Sequence, residues 1–188
     1  MEGQRAEITP YQAPTDLEPS PALSLVGKAK PLHKGRKVGA LVTDGADGDR
    51  LQALRDALEG EGAELAIVAP KIGGVRLKSG KDLAADMALS GAPSVFFDAV
   101  AIFASADGIK PLLKNSAAID WVRDAFGHLK VIGYMPAAQP LFAEACIADD
   151  LDEGMIELDA RASVEQYIDA AKQQRVWARE ARLAESEA

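Results

Sequence analysis

The sequence predicts an α/β fold: a doubly wound, mainly parallel sheet with helices on both faces. Three observations predict it. Short apolar runs rich in β-formers recur along the chain, segments with apolar residues at helical spacing separate them, and the runs end on Asp, Gly, Ser or Pro. Strands buried on both faces read as unbroken apolar runs rather than as alternation, which is how these runs read.

Residues 37–43 (KVGALVT) form the first strand, followed by turn residues from Asp44 to Gly48. Residues 49–59 carry Leu51, Leu54 and Leu58 at helical spacing, with Asp49 a candidate N-cap and Gly60 to Gly62 the stop. Residues 64–69 (ELAIVA) are the second strand, stopped by Pro70. Residues 75–77 and 81–83 flank Lys78-Ser79-Gly80 and predict a small hairpin. Residues 99–104 (AVAIFA) are the third core strand. Residues 115–129 are a helix with Ile119, Val122, Phe126 and Leu129 on one face, and residues 131–135 (VIGYM) are the fourth strand. A late strand over 154–158 precedes a final amphipathic helix over 163–179, with Val164, Tyr167, Ile168, Ala171 and Val176 facing inward. Strands joined through helices make βαβ units, and flavodoxin-like topology follows.

Residues 1–35 differ from the rest. They hold Pro10, Pro14, Pro19, Pro21 and Pro31, which fix φ and remove donors, so this stretch reads as an extended linker or arm. Its amphipathic piece, residues 21–26, is suited to dock on a surface. Residues 36–180 form the folded domain and residues 181–188 a polar tail.

The chain has 188 residues, 48% of them hydrophobic, enough for one domain with a core. Its net charge of −8 disfavours nucleic-acid binding, because an acidic surface repels phosphates. The basic cluster of Lys28, Lys30, Lys34, Arg36 and Lys37 sits beside the linker and reads as a solvated segment. The single cysteine, Cys146, excludes an internal disulfide and a cysteine-based metal site. It fits a reducing compartment, and a cytoplasmic location without membrane contact is the expectation.

Ligands in such sheets bind beyond the carboxyl ends of the strands, so the loops after residues 43, 69, 104 and 135 are the places for chemistry. The first loop holds Asp44, Asp47 and Asp49, carboxylates able to bind a cation or act as an acid, but a tight turn with a helix cap is the favoured reading. The stretch from Gly73 to Lys81 imitates a phosphate loop and fails on spacing, since five residues separate Gly74 from Gly80 and Asp82 replaces the hydroxyl residue. Ser105 needs a histidine base to act as a nucleophile, and the two histidines are His33, in the linker, and His128, near a helix end where it suits a C-terminal cap. Cys146 reads as a small buried hydrophobe, and Trp121 and Trp177 as packing residues.

Several runs together resemble one family. They are GRKVGALVTDG from Gly35, VAPKIGG from Val68, GAPSVFFDAV from Gly91, HLK at His128, IAD at Ile147, EG at Glu153 and RVWAR at Arg175, with EPSPAL from Glu18 in the arm. In this order they resemble the C-terminal domain of large-subunit catalases, and EPSPAL resembles the segment that joins that domain to the haem-bearing part. That domain is similar to class I glutamine amidotransferase-like proteins, which include intracellular-protease-like and chaperone-like members. The resemblance implies a nucleophilic cysteine at a sharp turn after the fourth strand and a glutamate after the first. Here the turn is GYMPAA from Gly133, with Pro136 at the nucleophile position, and Arg50 stands at the acid position beside Asp47 and Asp49. Without a nucleophile there is no acyl-enzyme chemistry, so no catalytic residue is expected.

The resemblance further implies that haem, its distal histidine and its proximal tyrosine belong to the parent's catalytic domain. Tyr11, Tyr134 and Tyr167 lack the arginine four residues earlier that marks the haem tyrosine, so neither a cofactor nor a metal is expected in this chain. The implied partners are the haem domain of the same parent and its tetramer, with unfolded client proteins by superfamily analogy. Three function classes follow: an accessory domain acting by association in a peroxide-decomposing parent, a stand-alone amidotransferase-like hydrolase or chaperone, and a nucleotide or flavin module suggested by the fold alone.

Overall fold

A computed structural model of the chain describes residues 20–26, 28 and 30–180. Tyr11, the first three prolines and the polar tail at 181–188 lie outside the described residues.

The strands are β1 (Lys37–Val42), β2 (Glu64–Ala69), β3 (Val75–Arg76), β4 (Asp82–Leu83), β5 (Met87–Ala88), β6 (Ala99–Phe103), β7 (Ile132–Tyr134) and β8 (Met155–Glu157). The helices are α1 (Gly48–Gly60), α2 (Ser116–Gly127), α3 (Gln139–Glu144) and α4 (Arg161–Lys172). Six strands make one sheet in the order β5-β2-β1-β6-β7-β8, and every pairing in it is parallel. β3 and β4 form the separate antiparallel hairpin that the sequence predicts. The order reverses between β1 and β6, the doubly wound signature.

The strands bury both faces, which is why they read as continuous apolar runs. Leu41, Val100 and Ile102 point to one side with Trp121, Val122 and Phe126 of α2 and Leu141 and Phe142 of α3. Val38, Ala40, Val42 and Phe103 point to the other, against Leu51, Leu54 and Leu58 of α1 and Val164, Tyr167 and Ile168 of α4. Gly39 of β1 is required by close approach, since a Cβ there would lie 2.5 Å from the Phe97 ring. Trp121 is packed as expected and donates its indole N–H to Ala92 O at 3.0 Å.

Several expected details differ. The N-cap of α1 is Asp47, whose Oδ1 accepts from the N–H groups of Asp49 and Arg50; Asp49 is already inside the helix. Asn115 is the N-cap of α2 rather than its first residue, and Leu129, past the helix end, takes φ 59°. α4 stops at Lys172 because Gln174 turns left-handed (φ 71°), and residues 178–180 are helical again, so Val176 is buried from between the two, with its N–H on Leu129 O at 2.7 Å. Two elements have no counterpart in the sequence reading: the edge strand β5 and the short α3. The piece at 21–26 leaves Leu23, Leu25 and Val26 exposed rather than docked on this domain.

Candidate functional site

The carboxyl ends of β1 and β6 open a cleft of about 860 Å³ at the point where the strand order reverses, lined by Thr43, Asp44, Lys71, Lys78, Ser105 and Gly108 among others. The hairpin is fastened to this loop. Asp44 Oδ1 accepts from Arg76 N at 2.8 Å, Gly45 N donates to Arg76 O at 2.8 Å, and Lys78 N donates to Ala46 O at 2.9 Å. Gly45 takes φ 75°, a conformation a side chain would strain.

Ser105 is engaged from both directions. Its Oγ donates to Asp44 O at 2.6 Å and accepts from Gly108 N at 2.9 Å, while its own N–H reaches Thr43 Oγ1 at 3.2 Å. Both histidines lie at the other end of the sheet. His33 holds Ile168 O through Nε2 at 2.8 Å, and His128 is the C-cap of α2. The sheet therefore separates Ser105 from either base instead of bringing them together. Among the described residues, no group of three His, Cys, Asp or Glu side chains could hold a metal ion.

A second cleft, of about 790 Å³, lies between the starts of α1 and α4 and is lined by Asp47, Arg50, Phe103, Asp159, Arg161 and Val164 among others. Arg50 Nη1 donates to Leu158 O at 3.0 Å, and its Nε is 3.5 Å from Asp47 Oδ2. Pro136 opens the turn after β7, with Met135 extended (φ −80°, ψ 147°) and a 3-10 turn over Pro136–Ala138 leading into α3. The two positions belong to neighbouring connections, since Leu158 N donates to Tyr134 O at 2.7 Å. Proline brings neither a nucleophilic atom nor an N–H to this turn.

Cys146 departs from its expected burial: it is exposed. The reason is the end of α3. Cys146 takes φ 57° one residue past the C-cap Ala145; its N–H bonds Ala143 O at 3.0 Å, and Ile147 N bonds Phe142 O at 2.9 Å. This is a Schellman closure, with Ile147 folded onto the core and the thiol turned outward.

The Tyr167 hydroxyl is fully buried and donates to Val100 O at 2.9 Å, and burial pushes its pKa far up. Tyr134 packs edge-on to Phe142 with ring centroids 4.9 Å apart.

The charges that sequence reasoning missed lie at the amino ends of the strands. Arg179 is fully buried and forks onto Asp152, with Nε–Oδ2 at 2.7 Å and Nη2–Oδ1 at 2.8 Å. Its Nη1 donates to Phe126 O and Lys130 O, each at 3.0 Å, and its guanidinium carbon lies 4.0 Å over the Phe126 ring. Lys130, also buried, donates from Nζ to Ser94 O at 2.6 Å and Phe97 O at 2.7 Å. Burial lowers its pKa to about 8, helped by the nearby charge of Arg175. A signal was present, since Lys130 and Arg179 stand in the HLK and RVWAR runs, but residue type alone assigns them to the surface.

Comparison with known proteins agrees with this fold. The family model described as the C-terminal domain found in long catalases matches residues 34–181. Catalase C of Rhizobium meliloti is 47% identical over 165 residues, which cover 88% of this chain and 23% of that protein. Catalase HPII of Pseudomonas aeruginosa is 31% identical over 166 residues, 87% of this chain and 23% of that protein. The chain thus spans about a quarter of the length of these relatives. Among solved structures, oxidized DJ-1 of Toxoplasma gondii superposes with a TM-score of 0.59 at 15% identity, covering 80% of this chain and 98% of that one. A two-domain protein of Anabaena variabilis with DJ-1/ThiJ/PfpI-like and ferritin-like domains gives 0.57 at 17% identity, covering 65% and 44%. At such identities these two show the fold alone. On the strength of the family match and the Rhizobium relative, the chain belongs to the family of C-terminal domains of long catalases.

Proposed function

We propose that this chain is a non-catalytic accessory domain of a long catalase, acting by stabilisation and assembly within a parent whose haem-bearing part decomposes hydrogen peroxide. The observation that supports this best is the occupancy of the two superfamily positions. Pro136 supplies no nucleophile, and the Arg50 guanidinium is engaged with Leu158 O and Asp47. Ser105, the remaining hydroxyl in the cleft, is tied to the Asp44 carbonyl. Neither a cofactor nor a metal has a role in this reading. Protection of unfolded clients is a further role, supported only by superfamily analogy. The lone cysteine suits the cytoplasm, and no helix among the described residues is long and apolar enough to cross a membrane.

The test has two arms. The purified chain should take up no haem and evolve no oxygen from peroxide; oxygen release with a Soret band would refute the reading. Removing the matched region from a long catalase should lower that enzyme's melting temperature or its assembly while the haem chemistry per active site persists.

One observation favours a second reading, a thiol-dependent hydrolase: the Cys146 thiol faces solvent. Iodoacetamide alkylation distinguishes the two. Slow labelling at the rate of a free cysteine, with no loss of any esterase activity, supports the accessory domain.

A further inference from the structure

Among the described residues, the exposed large apolar side chains are placed unevenly. Leu32 precedes β1, Val95 and Phe96 lie on the 3-10 turn before β6, and Leu151 is in the connection before β8. These four belong to the amino ends of the strands, and Ile72, after β2, to a carboxyl end. Val95 and Phe96 are 59% and 58% exposed. Beside them a hollow of about 310 Å³ is lined by Val95, Leu129, Arg175 and Trp177 among others.

The turn that carries these two side chains is held from below. Lys130 binds the carbonyls on either side of it, Ser94 O and Phe97 O, and Phe97 is buried on Gly39 with its ring 6.4 Å from that of Trp121. An apolar pair on a fixed backbone loses little entropy on being covered, as the central anchors of protein interfaces require. The arm reaches the domain at the same place. His33 bonds Ile168 O, and Lys30 O accepts from Arg36 at 3.3 Å and Gln174 at 3.5 Å, next to the segment that forms the hollow.

We infer that this end of the domain, centred on Val95, Phe96 and Trp177, is the face that docks against the N-terminal remainder of a long catalase. The inference rests on the accessory-domain reading and adds the surface through which it operates. The occupant follows from connectivity. This domain is C-terminal in its family, and more than three quarters of the Rhizobium relative lies outside the match. That remainder reaches the domain through the arm, which holds it at a high effective concentration next to this face and far from the opposite one.

The test is hydroxyl-radical footprinting of two proteins: this 188-residue chain alone, and full-length Rhizobium Catalase C in which the stretch equivalent to residues 34–181 is replaced by those residues and its own preceding arm is kept, retention of haem absorbance being the check on folding. Phe96 and Trp177 should be modified severalfold more slowly in the full-length protein, with Ile72 unchanged. In that protein Phe96→Asp should restore the modification of Trp177 and speed proteolysis of the arm. Protection confined to Ile72 and Lys71 would overturn this face while leaving the accessory reading intact. Protection at neither end would overturn the accessory reading itself. Concentration-dependent protection of Phe96 in the free chain, with a dimer by light scattering, would assign the face to a second copy and overturn the inference.

Discussion

Arg179 is the sharpest test of how this domain is held together. Its side chain is 0% exposed and that of its partner Asp152 is 2% exposed, so Arg179→Met removes a desolvated guanidinium from a desolvated carboxylate. The same change takes the donor from Phe126 O and Lys130 O and the cation from the Phe126 ring. Breaking one side of a buried pair costs about 3–5 kcal/mol, because the remaining charge stays out of water. Against a total of about 5–15 kcal/mol for a domain, that is a large fraction of the stability. Arg179→Lys should fall between wild type and Arg179→Met, since an ammonium keeps the charge but not the two-pronged geometry. Pairing Arg179→Met with Asp152→Leu should recover part of the loss, because the carboxylate that faced the guanidinium is then gone as well. Urea unfolding followed by tryptophan fluorescence reads this directly, at roughly 1–3 kcal/mol per molar change in midpoint. A loss under about 1 kcal/mol for Arg179→Met, or a double variant no better than the single, would refute the claim that the pair is buried and mutually dependent.

Further expectations rest on Lys130, Leu129 and Cys146. Lys130 has a folded-state pKa of about 8 against an ordinary 10.5; between these values the unfolded chain holds the proton that the folded chain has lost, so its contribution to stability rises with pH across that window. The gain relative to Lys130→Met should approach about 3 kcal/mol at most, since the two carbonyls also favour the ammonium, and a flat difference from pH 8 to 10.5 in denaturant melts would contradict the assignment. Leu129 and Cys146 both take positive φ just past a helix end, so Leu129→Gly and Cys146→Gly should each relieve backbone strain worth about 1 kcal/mol, read as a raised melting temperature; a fall for Cys146→Gly, whose side chain is exposed, would refute the closure described.

The parts of the fold visible in the sequence are those governed by local pattern. β1, β2 and β6 are buried on both faces, so their apolar runs are continuous and their ends fall near the turn residues. Leu51, Leu54 and Leu58 repeat at helical spacing because α1 presents one stripe to the sheet. What was hidden depends on distant contacts. β5 has two residues and exists because β2 offers it an edge. The stop of α4 depends on Gln174 turning left-handed, a choice made by Val176 reaching Leu129 rather than by any glycine. In the candidate site, the carboxylates of the first loop were visible but not their division, Asp47 to the helix and Asp44 to the hairpin. The burial of Lys130 and Arg179 could not be read from residue type, because charged residues belong to the surface unless a partner far along the chain accepts them.

The two ends of the sheet use their polar groups in opposite ways. At the carboxyl ends, where α/β sheets offer ligands a crevice, the hydroxyl of Ser105, the carboxylates of Asp44 and Asp47 and the guanidinium of Arg50 all bind the protein's own backbone. At the amino ends two cations are buried: Lys130 holds the carbonyls around an exposed apolar turn, and Arg179 holds Phe126 O and Lys130 O. Burying a lysine is costly, as its lowered pKa records, and an apolar side chain with a matching shape would fill the same space without that cost. What lysine does that an apolar residue cannot is bind two carbonyls at once, which fixes the backbone between Ser94 and Phe97. A turn held this way is useful for what it presents, and it presents Val95 and Phe96. On the accessory-domain reading proposed above, this is the end through which the domain associates.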